Sequence, residues 1–173
     1  MSEVFIGIGS NINPEINIPD CISMLEQQYG RLNLSPVYES EPVGFTGANF
    51  FNLVAGFETD LTPDELVESL HTIEDSFDRS RNSSSLSSRT LDLDLLLYDD
   101  LIIKNENLEI PREEILKYAF VLCPLADIVG DYRHPVNGRQ YSELWREFDV
   151  KGVVLRRVII PELCRDELAD RHM

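Results

Sequence analysis

From residue 3 to residue 98 the spacing of apolar side chains switches between a period of two and a helical period, in the order strand, helix, strand, strand, helix, strand. "EVFIGIGSN" predicts a short buried strand closed by a Gly-Ser-Asn turn, and Gly7 and Gly9 would let something approach its backbone closely. Ile18, Cys21, Ile22, Leu25 and Tyr29 follow helical spacing, and Gly30 is a natural stop. "RLNLSPVYES" and "ANFFNLVAGFET" each alternate as strands. The "EPVGFTG" between them is long for a hairpin, the kind of loop that carries function. "TPDELVESLHTIEDSFDR" begins a helix with Thr62 as N-cap, Pro63 at the first helical position and Glu65 three residues after the cap. Its apolar stripe is Leu66, Leu70, Ile73 and Phe77, with Val67 beside it. A serine-rich run, expected as a flexible loop, leads into the strand "LDLDLLLYDD".

This order predicts an α+β fold with a ferredoxin-like β-α-β-β-α-β core, an antiparallel sheet carrying helices on its faces. The residues beyond that strand are expected as a C-terminal elaboration of the same domain: a short "LIIKNENLEI" hairpin, a helix over "PREEILKYAFVLCPLADIVG", and a last strand, "GVVLRRVII". Residues 1–161 are expected to form one domain and 162–173 a polar tail, which suits a chain of 173 residues.

Composition removes several function classes. No apolar run approaches the roughly 20 residues of a membrane span, and the acidic, strand-like N-terminus is unlike a signal peptide. The expected location is the cytoplasm. Cys21, Cys123 and Cys164 are odd in number and lack metal-ligand spacing, so they are expected as reduced thiols. A formal charge of -16 repels polyanions, which argues against nucleic acid as a partner. A small anionic ligand then needs a metal or local arginines; Arg79, Arg81 and Arg89 flank the serine run, and Arg156 and Arg157 lie near the end.

Asp92 and Asp94 are two apart on a strand, so both carboxylates face one side while Leu91, Leu93 and Leu95 face the core. Crowded carboxylates are relieved by a divalent cation, an arginine, or a raised pKa on one of them. An oxygen-only pair suits Mg²⁺, which keeps several waters and shares its remaining positions with phosphates. The plain alternative is the solvent face of a strand in an acidic protein. Aspartate is a poor strand former, and two copies beside Arg89 favour a site.

"IGSN" after the first strand, Phe50 and Asn52 spaced F-x-N in the third, and "RTLDLDLLL" after the second helix resemble the 6-hydroxymethyl-7,8-dihydropterin pyrophosphokinases of folate biosynthesis. The similarity runs from residue 3 to about residue 128, and "HPVNGR" continues it. It implies transfer of pyrophosphate from ATP to the pterin hydroxymethyl group, with two Mg²⁺ ions on Asp92 and Asp94. It assigns Ser40, Pro42, Val43, Phe50, Asn52, Leu86 and Phe120 to the pterin, with Phe50 and Phe120 stacking on it. His71, Glu74, Arg81, Leu95 and Arg112 go to the nucleotide, and Arg79 and Arg89 join the aspartates in catalysis. The implied partners are the small molecules alone, taken up by a monomer. Without the resemblance, the phenylalanines read as core and Arg79 and Arg81 as a solvated helix end.

The sequence departs from the family at identifiable places. Where a basic residue, an aromatic, Gly and Pro usually precede the arginine stand Ser85, Leu86, Ser87 and Ser88; where a histidine and an arginine usually touch the nucleotide stand Arg112 and Tyr118. The metal pair is kept and the phosphate cradle is thinned. A catalytically weak chain that binds a pterin or nucleotide is therefore the alternative outcome, and a kinase of a different alcohol a third. His134 in "YRHPVNG" reads as a turn residue.

Overall fold

In the computed structural model, residues 1–78 and 90–164 are described. Strands β1 (Ser2–Ser10), β2 (Asn33–Leu34), β3 (Val37–Ser40), β4 (Phe50–Thr59), β5 (Asp92–Tyr98) and β8 (Leu155–Val158) form one antiparallel sheet. Its order is β5-β1-β4-β3-β8, with β2 also on β4. The first four positions are the ferredoxin-like arrangement: each of α1 (Pro14–Tyr29) and α2 (Pro63–Asp78) crosses over one intervening strand.

Local signals explain the elements. Thr62 Oγ1 accepts from the Glu65 amide at 3.3 Å and Glu65 Oε2 from the Thr62 amide at 2.8 Å, the expected capping box. Gly30 ends α1 with its N–H on the Glu26 carbonyl. The helix starts at Pro14 rather than Ile18, because proline at a first helical position lacks only an N–H with no partner to lose. "RLNLSPVYES" is not one strand: Pro36 has no amide to give, and the ladder passes through Ser35, whose N–H and Oγ both pair with the Val54 backbone.

The expected third helix is likewise two, α3 (Glu114–Lys117) and α4 (Ala119–Val129), separated by extended Tyr118. The "LIIKNENLEI" hairpin is present as β6 (Ile103–Lys104) and β7 (Glu109–Ile110). A helix the sequence did not announce, α5 (Tyr141–Arg146), packs beside α4. Residues 161–163 form a short 3-10 turn at the start of the expected tail.

The sheet has two different faces. Val4, Ile6, Ile8, Leu53, Leu91, Leu93 and Leu95 are buried beneath α1 and α2. On the other side Phe5, Val54, Leu96 and Leu97 pack with Leu122, Leu125 and Val129 of α4 and Tyr141 of α5. A bulge makes this possible: Phe5 pairs with Leu97 and Ile6 with Leu95, which leaves Leu96 over, so consecutive leucines reach the second core. Cys21 and Cys123 are buried, and all three cysteines are free thiols. Among the described residues no helix is long and apolar enough to cross a membrane.

Candidate active site

Strand register sets Asp92, Gly9, Asn52 and Tyr38 in one row across the sheet, and Asp94, Gly7 and Val54 in the next. Residues paired across antiparallel strands share a face, here the face of α4. The glycines therefore leave a bare floor between the carboxylates and Asn52. A Cβ at Gly9 would lie 3.1 Å from Asn52 Oδ1, tighter than ordinary contact, so a side chain at this point of the floor would press on the asparagine. The Asn52 amide donates to Ser40 Oγ at 2.8 Å, and both residues are buried, which fixes the asparagine beside the floor.

Above it opens a cavity of about 410 Å³. Phe45, Phe50, Tyr118 and Phe120 supply aromatic walls, Ser40 and Asn52 a polar edge, and Asp92, Asp94 and Arg112 one end. Phe45 meets Phe50 edge-on at 6.2 Å, and Tyr118 stacks on Phe120 at 5.0 Å. The residue 41–49 loop that brings Phe45 is held at its C-terminal end: Asn11 Nδ2 donates to the Ala48 carbonyl at 3.2 Å, and Asn49 Nδ2 to Glu39 of β3 at 3.2 Å. Arg156 pairs with Glu39 at 2.6 Å, so this arginine braces the loop's base.

A second cavity of about 280 Å³ is lined by His71, Leu95 and the 105–109 hairpin, and shares Asp94 and Arg112 with the first. The Arg112 amide donates to the Leu96 carbonyl at 3.0 Å, which anchors the residue to β5. Its Nη2 lies 3.4 Å from Asp94 Oδ1 and its Nε 3.1 Å from Glu114 Oε2. At the edge of β5, Glu74 Oε2 accepts from the Leu93 amide at 2.9 Å, which caps an open edge of the sheet, and Oε1 is 4.0 Å from His71. Burial pushes the Glu74 carboxyl up to about 8, and the charges of Asp92 and Asp94 add to this while the Leu93 amide opposes it.

Among the described residues lining the larger cavity, Glu41, Asp92, Asp94 and Glu114 face a single Lys or Arg, Arg112. Such a site repels anions unless cations enter with them. No group of three or more His, Cys, Asp or Glu able to hold a metal occurs among the described residues. The donor set fits a hard divalent ion that completes its shell with water and ligand oxygens, as Mg²⁺ does.

The sequence-predicted residues divide into three groups. Ser40, Val43, Phe50, Asn52, Phe120, Asp92, Asp94 and Arg112 come together on the larger cavity, and His71 and Leu95 on the smaller. Pro42 faces a third, adjoining hollow instead, and Glu74 lies at the edge of β5, on the Leu93 amide and beside Asp92. Arg79, Arg81, Leu86 and Arg89 are outside the described residues. Sequence reasoning missed Phe45 and Glu114. Phe45 was signalled only by its place in a long glycine-marked loop, and Glu114 by nothing local.

A family model described as 7,8-dihydro-6-hydroxymethylpterin-pyrophosphokinase (HPPK) matches residues 5–130. The 2-amino-4-hydroxy-6-hydroxymethyldihydropteridine pyrophosphokinase of Haemophilus influenzae is 35% identical over 152 residues, which cover 86% of this chain and 94% of that one. The protein of the same name from Aquifex aeolicus is 32% identical, with 87% and 95% covered. The Folic acid synthesis protein fol1 of Pneumocystis carinii is 36% identical over 157 residues, but this chain spans only 21% of its length. Among solved structures, wild-type HPPK-DHPS of Plasmodium falciparum with pteroate superimposes at a TM-score of 0.68 and 14% identity, over 84% of this chain and 42% of that one. That likeness speaks for the fold. Matched by the family model over most of its length, and to bacterial relatives nearly end to end, the chain belongs to the 7,8-dihydro-6-hydroxymethylpterin-pyrophosphokinase family.

Proposed function

We propose that this chain transfers a pyrophosphoryl group from ATP to 6-hydroxymethyl-7,8-dihydropterin in folate biosynthesis, releasing AMP. The observation that carries the reading is a paired carboxylate, Asp92 and Asp94, at the end of an aromatic cavity whose floor is bare glycine. A planar heterocycle fits between aromatic walls, and its hydrogen-bonding edge meets Asn52 and Ser40. The hydroxymethyl group is thereby directed toward the aspartates. The smaller cavity, with His71 and Leu95, takes the nucleotide, and the shared wall of Asp94 and Arg112 is where the two substrates meet.

In the reaction the substrate oxygen bonds to the β-phosphorus while the bond from that phosphorus to the α,β-bridging oxygen breaks. AMP departs with the bridging oxygen, and the hydroxyl proton passes to solvent. The protein contributes position and charge compensation rather than a covalent intermediate. Asp92 and Asp94 would hold two Mg²⁺ ions, which when bound neutralise the triphosphate and acidify the attacking hydroxyl. Arg112 is proposed to donate to phosphate oxygens as a forked cation. Arg79, Arg81 and Arg89 are proposed to add phosphate contacts, and Leu86 and Pro42 apolar cover. Glu74 holds β5 in place through the Leu93 amide. The same reading takes the chain as a cytoplasmic monomer with small-molecule partners, and its charge of -16 supports excluding nucleic acid.

Purified protein given Mg-ATP and 6-hydroxymethyl-7,8-dihydropterin is expected to release AMP in step with pterin diphosphate, and to stop when EDTA is added. AMP release no greater than in the pterin-free control, and unchanged by Asp92→Ala, would overturn the reading.

A further inference from the structure

Arg112 stands where the two cavities meet, and it is the only Lys or Arg among the described residues lining either one. Its backbone is fixed to β5 through the Leu96 carbonyl, while its guanidinium spans two carboxylates, Asp94 at 3.4 Å and Glu114 at 3.1 Å. Both contacts are longer than the roughly 2.7–2.9 Å of a well-made charged hydrogen bond. The Nε–H, shut off from water, has no hydrogen-bond partner among the described residues. An arginine held this loosely between two acids, with a buried donor unspent, is held to be exchanged rather than to brace the fold.

We propose that Arg112 is an internal counter-ion for Asp94, which a divalent cation must displace, and that the freed guanidinium then takes a phosphate oxygen of the nucleotide. This rests on the pyrophosphokinase reading and deepens it. Asp94 cannot serve the arginine and a metal equally, since each positive charge weakens its hold on the other. Glu114 keeps the guanidinium at the junction of the cavities once Asp94 turns to the metal. The device makes a bare metal ion a poor ligand and a metal arriving with phosphates a good one. The phosphates give the displaced arginine a bidentate partner in place of its single contact with Asp94.

The test measures metal binding without turnover. Free Mn²⁺ is followed by electron paramagnetic resonance as it is titrated into wild type, Arg112→Gln, Arg112→Lys and Asp94→Asn in the absence of nucleotide. Arg112→Gln is expected to bind Mn²⁺ about two- to fivefold more tightly than wild type, the scale of a partly exposed ion pair. Arg112→Lys, which keeps the charge, is expected to stay near wild type. The same Arg112→Gln protein is expected to bind the Mg²⁺ complex of α,β-methylene-ATP about tenfold more weakly, the cost of one charged hydrogen bond. A misfolded variant loses metal, so tighter binding cannot come from unfolding. Mn²⁺ affinity equal to or below wild type in Arg112→Gln overturns the counter-ion, and unchanged nucleotide affinity overturns the exchange. Asp94→Asn separates the two levels. If it abolishes Mn²⁺ binding while Arg112→Gln changes nothing, only the present proposal fails; if it binds Mn²⁺ as wild type does, the metal reading fails with it.

Discussion

The two faces of the sheet are made by the same strands and do opposite things. Beneath α1 and α2, β1 presents Val4, Ile6 and Ile8, and Leu91 just before β5 continues into Leu93 and Leu95 of that strand, with no break in the apolar surface. On the α4 side β1, β4 and β5 are apolar toward one end of the sheet, at Phe5, Val54 and Leu96, and change toward the other: Gly7 and Gly9 stand where side chains would fill the space, and Asp92, Asp94 and Asn52 surround them. The site is formed by omission. A strand with period two can be core on one side and binding floor on the other, because each residue type reaches only its own face. Closed packing on the first face holds the carboxylates of the second in place.

The contrast between the faces is most exposed at the carboxylates. Asp92→Ala or Asp94→Ala is expected to lower kcat by about 10²–10³-fold or more, with the melting temperature almost unchanged, since neither side chain belongs to a core cluster. Steady-state AMP release and a thermal melt check both halves. On the opposite face Leu93→Ala should do the reverse. It is expected to cost about 2–5 kcal/mol of stability, read by urea unfolding. Filling the floor comes next: Gly9→Ala presses on Asn52 Oδ1 and is expected to weaken pterin binding about tenfold by titration calorimetry, the loss of about one hydrogen bond, while leaving Mn²⁺ binding intact.

The smallest effect lies outside both faces, at His134. Its Nδ1 accepts from the Val136 and Asn137 amides at 3.2 and 3.4 Å, and burial holds its pKa below the ordinary value. The unfolded chain therefore binds the proton more readily. Stability from the neutral ring is complete above about pH 6.5 and falls as the pH drops below it. Melting temperatures between pH 7.5 and 5.5 should fall slightly in wild type and less in His134→Asn.

The element order and the two-sided alternation of "LDLDLLL" were legible because hydrophobic period is a local property. Leu91, Leu93 and Leu95 are buried on one side and Asp92 and Asp94 stand on the other, as the alternation required. His134 also kept its turn, which its N–H closes onto the Arg139 carbonyl. The features that stayed hidden depend on register and on crossing chains. That Gly9 faces Asn52 on one side and Asp92 on the other follows from two strand pairings, neither visible in the residues themselves. The bulge at Leu96, the break at Tyr118 and the arrival of Phe45 over the cavity are likewise tertiary choices that override local propensity. Arg112 looked like a substitute for a missing histidine. Only the fold sets it between Asp94 and Glu114.

If the open end of the α4 face binds metal and pterin side by side, crystals grown with Mn²⁺, α,β-methylene-ATP and 6-hydroxymethylpterin will show the metal by anomalous diffraction and the pterin in the electron density of the same crystal. Mn²⁺ peaks are expected against Asp92 and Asp94, with the pterin ring above Gly9 beside Asn52. Peaks at other carboxylates, or a pterin bound away from that floor, would contradict the shared site.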